Sequence, residues 1–182
     1  MSKKQEIIDR ALDRFQQGGF HATGIDAVMA DTGISKRTLY KYFPSKEDLI
    51  EAVLDQYGCE AQDTLFAPAL ARSTDPREQI AAIFDIRREL MESQACYRGC
   101  LAMRASQEFA GKHDGITARG QASADYVETR FAELAGAAGF ADPRETGRRI
   151  NLLFQGAVLT SQMRRDTHAF DSAKAMLREL LA

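Results

Sequence analysis

Between Gly33 and Lys46 the chain carries four cations, Lys36, Arg37, Lys41 and Lys46, and no carboxylate. Thr38, Tyr40 and Tyr42 are interspersed with them. Ammonium and guanidinium groups pair with phosphate oxygens, and Lys, Arg and hydroxyl side chains also reach base edges. The segment therefore has the donor chemistry of a nucleic-acid contact: +4 in 14 residues, within a chain whose net charge is −2. A solvated basic face would carry the same charge, so the surrounding elements must decide between the two.

Other chemistries are thinly represented. Three cysteines (Cys59, Cys96, Cys100) and three histidines (His21, His113, His168) lack the spacing of a zinc site. No GxSxG, GxxxxGK[ST], HExxH or CxxC occurs. The chain is read as neither an enzyme nor a cofactor or metal binder. One thiol is well placed for reactivity. Cys100 follows Tyr97-Arg98-Gly99 at the start of an expected helix, and a helix N-terminus and a nearby guanidinium both make a thiol more reactive. A buried structural cysteine is the competing role.

The elements that must position these side chains are all helical. Four prolines leave long unbroken stretches, and apolar residues recur with helical rather than alternating spacing. The first stripe, Ile7, Ile8, Ala11, Leu12 and Phe15, ends at Gly18-Gly19, a C-cap signal. A short helix with Ile25, Val28 and Met29 follows Thr23, which is read as its cap. Gly33 suits a left-handed turn and Ser35 a second cap. A third helix runs to Tyr42, and a fourth begins after Pro44-Ser45. Helix, tight turn and basic helix in this order form a helix-turn-helix pattern.

Further along, Asp75-Pro76-Arg77-Glu78 and Asp142-Pro143-Arg144-Glu145 both read as Asp at the N-cap, Pro at N1 and Glu at N3. Helices are expected near 80–91, 100–109, 123–138, 150–161 and 170–181. The expected fold is all-α with about nine helices: a three-helix DNA-binding unit over residues 1–46, then a larger helical body over 47–182.

Composition sets outer bounds. With 45% hydrophobic and 27% charged residues in 182, the chain has the makeup of a folded globular protein. Its longest apolar run, Leu134 to Ala141, is far short of the roughly 20 residues of a membrane span. A charged start without a signal peptide, and few cysteines, give an expected cytoplasmic location with reduced thiols. Charge is uneven: residues 1–50 hold 8 basic and 7 acidic side chains, the remainder 16 and 19. Only the Gly33–Lys46 segment is strongly basic.

Two runs, Thr23-Gly24-Ile25-Asp26-Ala27-Val28 and Gly33-Ile34-Ser35-Lys36-Arg37-Thr38-Leu39-Tyr40-Lys41-Tyr42-Phe43-Pro44-Ser45-Lys46-Glu47-Asp48-Leu49, resemble the DNA-binding signature of the TetR family of transcriptional regulators. The likeness covers about residues 5–50. It implies a recognition helix over Lys36–Tyr42, with Lys36, Arg37 and Thr38 at base edges. It places Tyr40, Lys41 and Tyr42 at the backbone or groove wall, and Lys46 and Thr23 at phosphates, with Ser35 as the cap. His21, beside Thr23, is a weaker phosphate candidate. The resemblance also implies a homodimer on a double-stranded palindromic operator, a repressor role, and release by a small-molecule effector. The dimer would form through the last two helices, for which the sequence offers Leu153, Phe154, Ala157 and Ser161. The effector would bind among the central helices, with Phe84, Met91, Met103, Gln107, Tyr126, Phe154 and Gln155 as lining candidates. Each of these would serve equally well as core. The Arg-Gly-Cys sequence ending at Cys100 resembles a subset of the family that senses oxidants or electrophiles, so thiol sensing is the alternative signal.

Overall fold

The computed structural model describes residues 2–30, 32–93 and 99–182. Their regular structure is helical throughout: α1 (Lys3–Gly18), α2 (Ile25–Met29), α3 (Lys36–Tyr42), α4 (Lys46–Ala61), a π turn (Gln62–Phe66), α5 (Ala67–Arg72), α6 (Pro76–Ser93), α7 (Leu101–Phe109), α8 (Asp114–Ala137), α9 (Pro143–Arg164) and α10 (His168–Leu181). Because α4, the π turn and α5 follow one another without a break, the separate helical segments among the described residues number nine.

Packing divides the chain into two compact units, residues 2–59 with 101–123, and 60–100 with 124–182. The packing boundary does not coincide with the expected division at 46/47. Leu49, Ile50, Val53 and Leu54 of α4 complete the core begun by α1–α3, so no break can fall at Pro44–Ser45. Leu101, Ala105, Phe109 and Ile116 join the same core from much later in the chain.

In the first unit, α1 buries Ile7, Ile8, Ala11, Leu12 and Phe15, the face expected from their spacing. It ends as Gly19 adopts φ +81° and its N–H returns to the Phe15 carbonyl. Phe20 is fully buried, its ring 5.1 Å from Phe15 and 5.7 Å from Phe109.

In the second unit the buried rings of Phe66, Phe84, Phe131 and Phe154 form the centre, with Phe154 5.3 Å from Phe84 and 5.5 Å from Phe131. Helices α8 and α9 run antiparallel in close register: Gly136 faces Pro143, Gly147 faces Ala132, and Asn151 Nδ2 donates to Glu128 at 3.4 Å. A Cβ on Gly147 would lie 2.5 Å from the Ala132 nitrogen, so this approach requires glycine.

Two local expectations differ from the structure. Thr23 does not cap α2. Gly24 holds the N-cap position without a side-chain bond, while the Thr23 hydroxyl donates to the Arg14 carbonyl at 3.4 Å. Helix α8 begins at Asp114 rather than near Ser123, and Gly120 lies in it against Ala102 and Ser106. Residues 62–72, for which no element was expected, are also helical: Pro68 occupies the first turn of α5, where its missing N–H is tolerated, directly after the π turn. The two Asp-Pro starts behave as caps, with Asp75 accepting from the Arg77 N–H at 2.8 Å and Asp142 from the Glu145 N–H at 3.0 Å.

Candidate nucleic-acid interface

The turn between α2 and α3 is held by three residues. Thr32 Oγ1 donates to the Met29 carbonyl at 2.9 Å and accepts from the Ile34 N–H at 3.1 Å. Gly33 takes φ +66°, a conformation costly for other residues. Ser35 Oγ then accepts from the Thr38 N–H at 3.2 Å and caps α3. Leu39 and Phe43 are buried and fix the inner side of α3. At its far end, Ser45 and Asp48 form a reciprocal capping box, with the Ser45 N–H donating to Asp48 at 2.9 Å and the Asp48 N–H to Ser45 Oγ at 3.1 Å.

This scaffold turns the other side of α3 to solvent. Lys36, Arg37, Tyr40, Lys41 and Tyr42 are exposed, and Thr38 and Lys46 are half-buried. Tyr40 and Tyr42 stand 46% and 39% exposed, large areas for aromatic side chains. Seven of the nine expected contact residues thus lie on α3 or just beyond it, and Ser35 holds the helix as its cap.

Two of these hydroxyls and one more residue are otherwise engaged. Thr23 is 5% exposed with its hydroxyl turned inward, so its side chain does not reach outward to a phosphate. The Thr38 hydroxyl sits 3.0 Å from that of Ser35. His21 is taken up by α7: its N–H donates to Glu108 at 2.8 Å, its ring Nε2 lies 3.1 Å from the Glu108 carbonyl, and the ring stacks 4.8 Å from Phe109.

Sequence reasoning missed Asp26. Its carboxylate lies 2.5 Å from the Lys36 ammonium. That hydrogen bond and the accompanying charge attraction raise the Lys36 amine above its usual value. It also missed what steadies the α1–α2 turn: the Arg104 guanidinium donates to the Phe15 and Gln16 carbonyls, and Glu108 accepts from the Phe20 N–H at 3.3 Å.

The expected effector residues are divided between the two units. Met103 and Gln107 lie on α7 in the first unit, and Gln107 is exposed; the other five belong to the second. Phe84, Met91 and Phe154 are core. Tyr126 donates its hydroxyl to Gln62 Oε1 at 2.6 Å, and Gln155 keeps a buried Oε1 without a partner among the described residues. The expected dimer stripe is also turned inward. Phe154, Ala157 and Ser161 are 3%, 3% and 0% exposed and Leu153 is half-buried, because this stripe closes the core of its own chain. The outward face of α9 carries Leu152 at 74%, Leu159 at 38% and Met163 at 76% exposure, and α10 adds Met176 at 56%. A groove of about 410 Å³ runs between these two helices.

Cys100 is half-buried and directly precedes α7, and Cys59 is exposed. Cys96, Tyr97 and Arg98 lie outside the described residues. Among the described residues there is no cluster of metal-ligating side chains and no helix long and apolar enough to cross a membrane.

Residues 7–53, which span α1 through the recognition segment into α4, match the family described as "Bacterial regulatory proteins, tetR family". Over 55 residues the chain is 49% identical to the HTH-type transcriptional regulator RutR of Escherichia coli K12. That match covers 30% of this chain and only 26% of RutR. The uncharacterized HTH-type transcriptional regulator YxaF of Bacillus subtilis is 26% identical over 90% of this chain and 86% of its own length. The fold is shared with a TetR-family transcriptional regulator from Agrobacterium tumefaciens, with a TM-score of 0.87 at 20% identity over 99% of this chain and 98% of that one.

Proposed function

We propose that the chain, whose residues 7–53 match the TetR family of bacterial regulatory proteins, is a DNA-binding transcriptional regulator that acts as a repressor in the cytoplasm. The observation that carries this reading is the α3 surface, on which cations and exposed tyrosines stand outward from a helix anchored by buried Leu39 and Phe43 and capped by Ser35. A duplex major groove admits such a helix, and Lys36 and Arg37, near its N-terminus, have the donor geometry to read guanine O6 and N7. Lys41, Tyr40, Tyr42 and Lys46 then serve phosphates.

Two copies of so small a basic patch are needed, on half-sites about 34–36 Å apart. The apolar outward face of α9 and α10 supports a homodimer through those helices. A small molecule held in the second unit would release DNA by favouring another conformation, with a reciprocal coupling of about 1–3 kcal/mol.

The test is selection of bound duplexes from a random-sequence pool, followed by salt-dependent binding. A two-fold symmetric duplex is expected to emerge. Arg37→Ala is expected to lose about 1–3 kcal/mol on it and far less on pool DNA, whereas Lys46→Ala weakens both alike and lowers the salt slope. Equal losses for Arg37→Ala on both DNAs would remove its base-reading role, and failure to enrich any duplex would remove the function.

The position of Cys100, half-buried and next to the first residue of α7, favours a second signal for the same regulator. In this reading, oxidation or alkylation of the thiol displaces the protein from DNA. Cys100→Ser is then expected to bind the enriched duplex normally and to resist release by peroxide or quinone. Unchanged release would end this reading.

A further inference from the structure

We propose that Asp26 sets how well this interface tells its operator from bulk DNA, by holding Lys36 until a base acceptor replaces it. The proposal rests on α3 being the recognition helix. Lys36 is the first residue of α3, at the end of the helix that carries positive partial charge. An ammonium there gains nothing from its own helix, and the neighbouring carboxylate comes from α2, 2.5 Å away. The two side chains are 55% and 81% exposed, so the pair contributes little to folding. It lies instead on the outward side, with Arg37 next to Lys36 and Tyr40 four residues on, both exposed.

The consequence differs between the two kinds of DNA. Binding to arbitrary sequence consists of phosphate contacts, and each phosphate neutralised adds about 0.9 to the slope of log affinity against log salt. A lysine tied to a carboxylate brings no net charge to that contact, and the free carboxylate oxygen repels the polyanion. On the correct sequence, guanine O6 and N7 offer Lys36 two acceptors in fixed positions. An exposed ion pair is weak enough to be exchanged for them. Asp26 thus subtracts from non-specific binding while leaving most of the specific contact in place, which raises the ratio of the two.

The experiment uses the full-length protein, the random-sequence pool and the duplex enriched from it. Binding is followed by fluorescence anisotropy across a KCl series for wild type, Asp26→Asn, Lys36→Ala and the double variant. Asp26→Asn is expected to bind pool DNA about threefold to tenfold more tightly near 0.1 M salt, with a slope steeper by about 0.9. Its gain on the enriched duplex is expected to be smaller, so discrimination falls. In the Lys36→Ala background the gain on pool DNA is expected to shrink to the part owed to the carboxylate's own repulsion of the phosphates. Unchanged pool-DNA affinity and slope for Asp26→Asn would overturn the proposal, as would a gain that survives in full without Lys36. If no duplex is enriched at all, the recognition reading itself fails and this proposal falls with it.

Discussion

Leu152→Arg combined with Met163→Arg is expected to give a folded monomer that has lost about a hundredfold or more in affinity for the enriched duplex. Positions 152, 156, 159 and 163 follow one another at helical spacing and share one face of α9. At 152 and 163 that face leaves three quarters of a large apolar side chain in water. Gly156 lies between them on the stripe and lets a second backbone come close. In a two-fold interface each introduced cation meets surroundings that its symmetry mate has also made cationic, so one double change puts four charges in the contact. The fold should tolerate this, since neither side chain supports the chain's own core. DNA affinity should not, because a second half-site engaged through a dimer multiplies affinity by roughly 10²–10⁴ without any new contact. Light scattering reads the first effect and anisotropy the second. A variant that remains dimeric would remove this face as the interface. A monomer that binds as tightly as wild type would remove the need for a dimer.

That stripe shows where sequence reading stopped. Helix α9 carries two apolar faces, one through Ile150, Phe154, Ala157, Val158 and Ser161, the other through Leu152, Leu159 and Met163. Spacing picks out the first face but cannot say whether it turns to its own chain or to a partner. The first face holds the aromatic ring and goes inward to meet Phe84 and Phe131. The helix-turn-helix was legible because its signals are local. Gly33 and Ser35 each act within four residues, so residue type and order were enough.

Long-range pairings left no such trace. Glu108 accepts from backbone groups 87 and 88 residues away, and Ile116 joins a core that starts at Ile7. No spacing rule connects these positions. The same holds for Asp26, which reads as an ordinary first-turn acid on α2 until α3 brings Lys36 beside it. An effector pocket depends on which side chains meet across elements, which spacing does not report, and the seven apolar and amide candidates fall in both units.

Phe154→Ala is expected to lower stability by about 3–5 kcal/mol while leaving dimerisation of the still-folded protein intact. The ring is 3% exposed and makes edge-on contacts with Phe84 and Phe131 at interplanar angles of 81° and 64°. Those two rings are themselves fully buried, and Phe131 also meets Phe66 next to the start of α5. Removing the ring therefore leaves a void walled by aromatics on elements fixed elsewhere. Among these, α8 and α9 are already in backbone contact at Gly147 and Ala132 and cannot close further. Limited collapse puts the cost at the upper part of the range for such truncations. For a domain of this size that corresponds to a fall in Tm of about 10 °C, readable by circular dichroism. Phe154→Leu, which keeps most of the volume, should recover much of the loss. A Phe154→Ala protein that melts like wild type but sediments as a monomer would return this residue to the interface and reverse the inward assignment of its stripe.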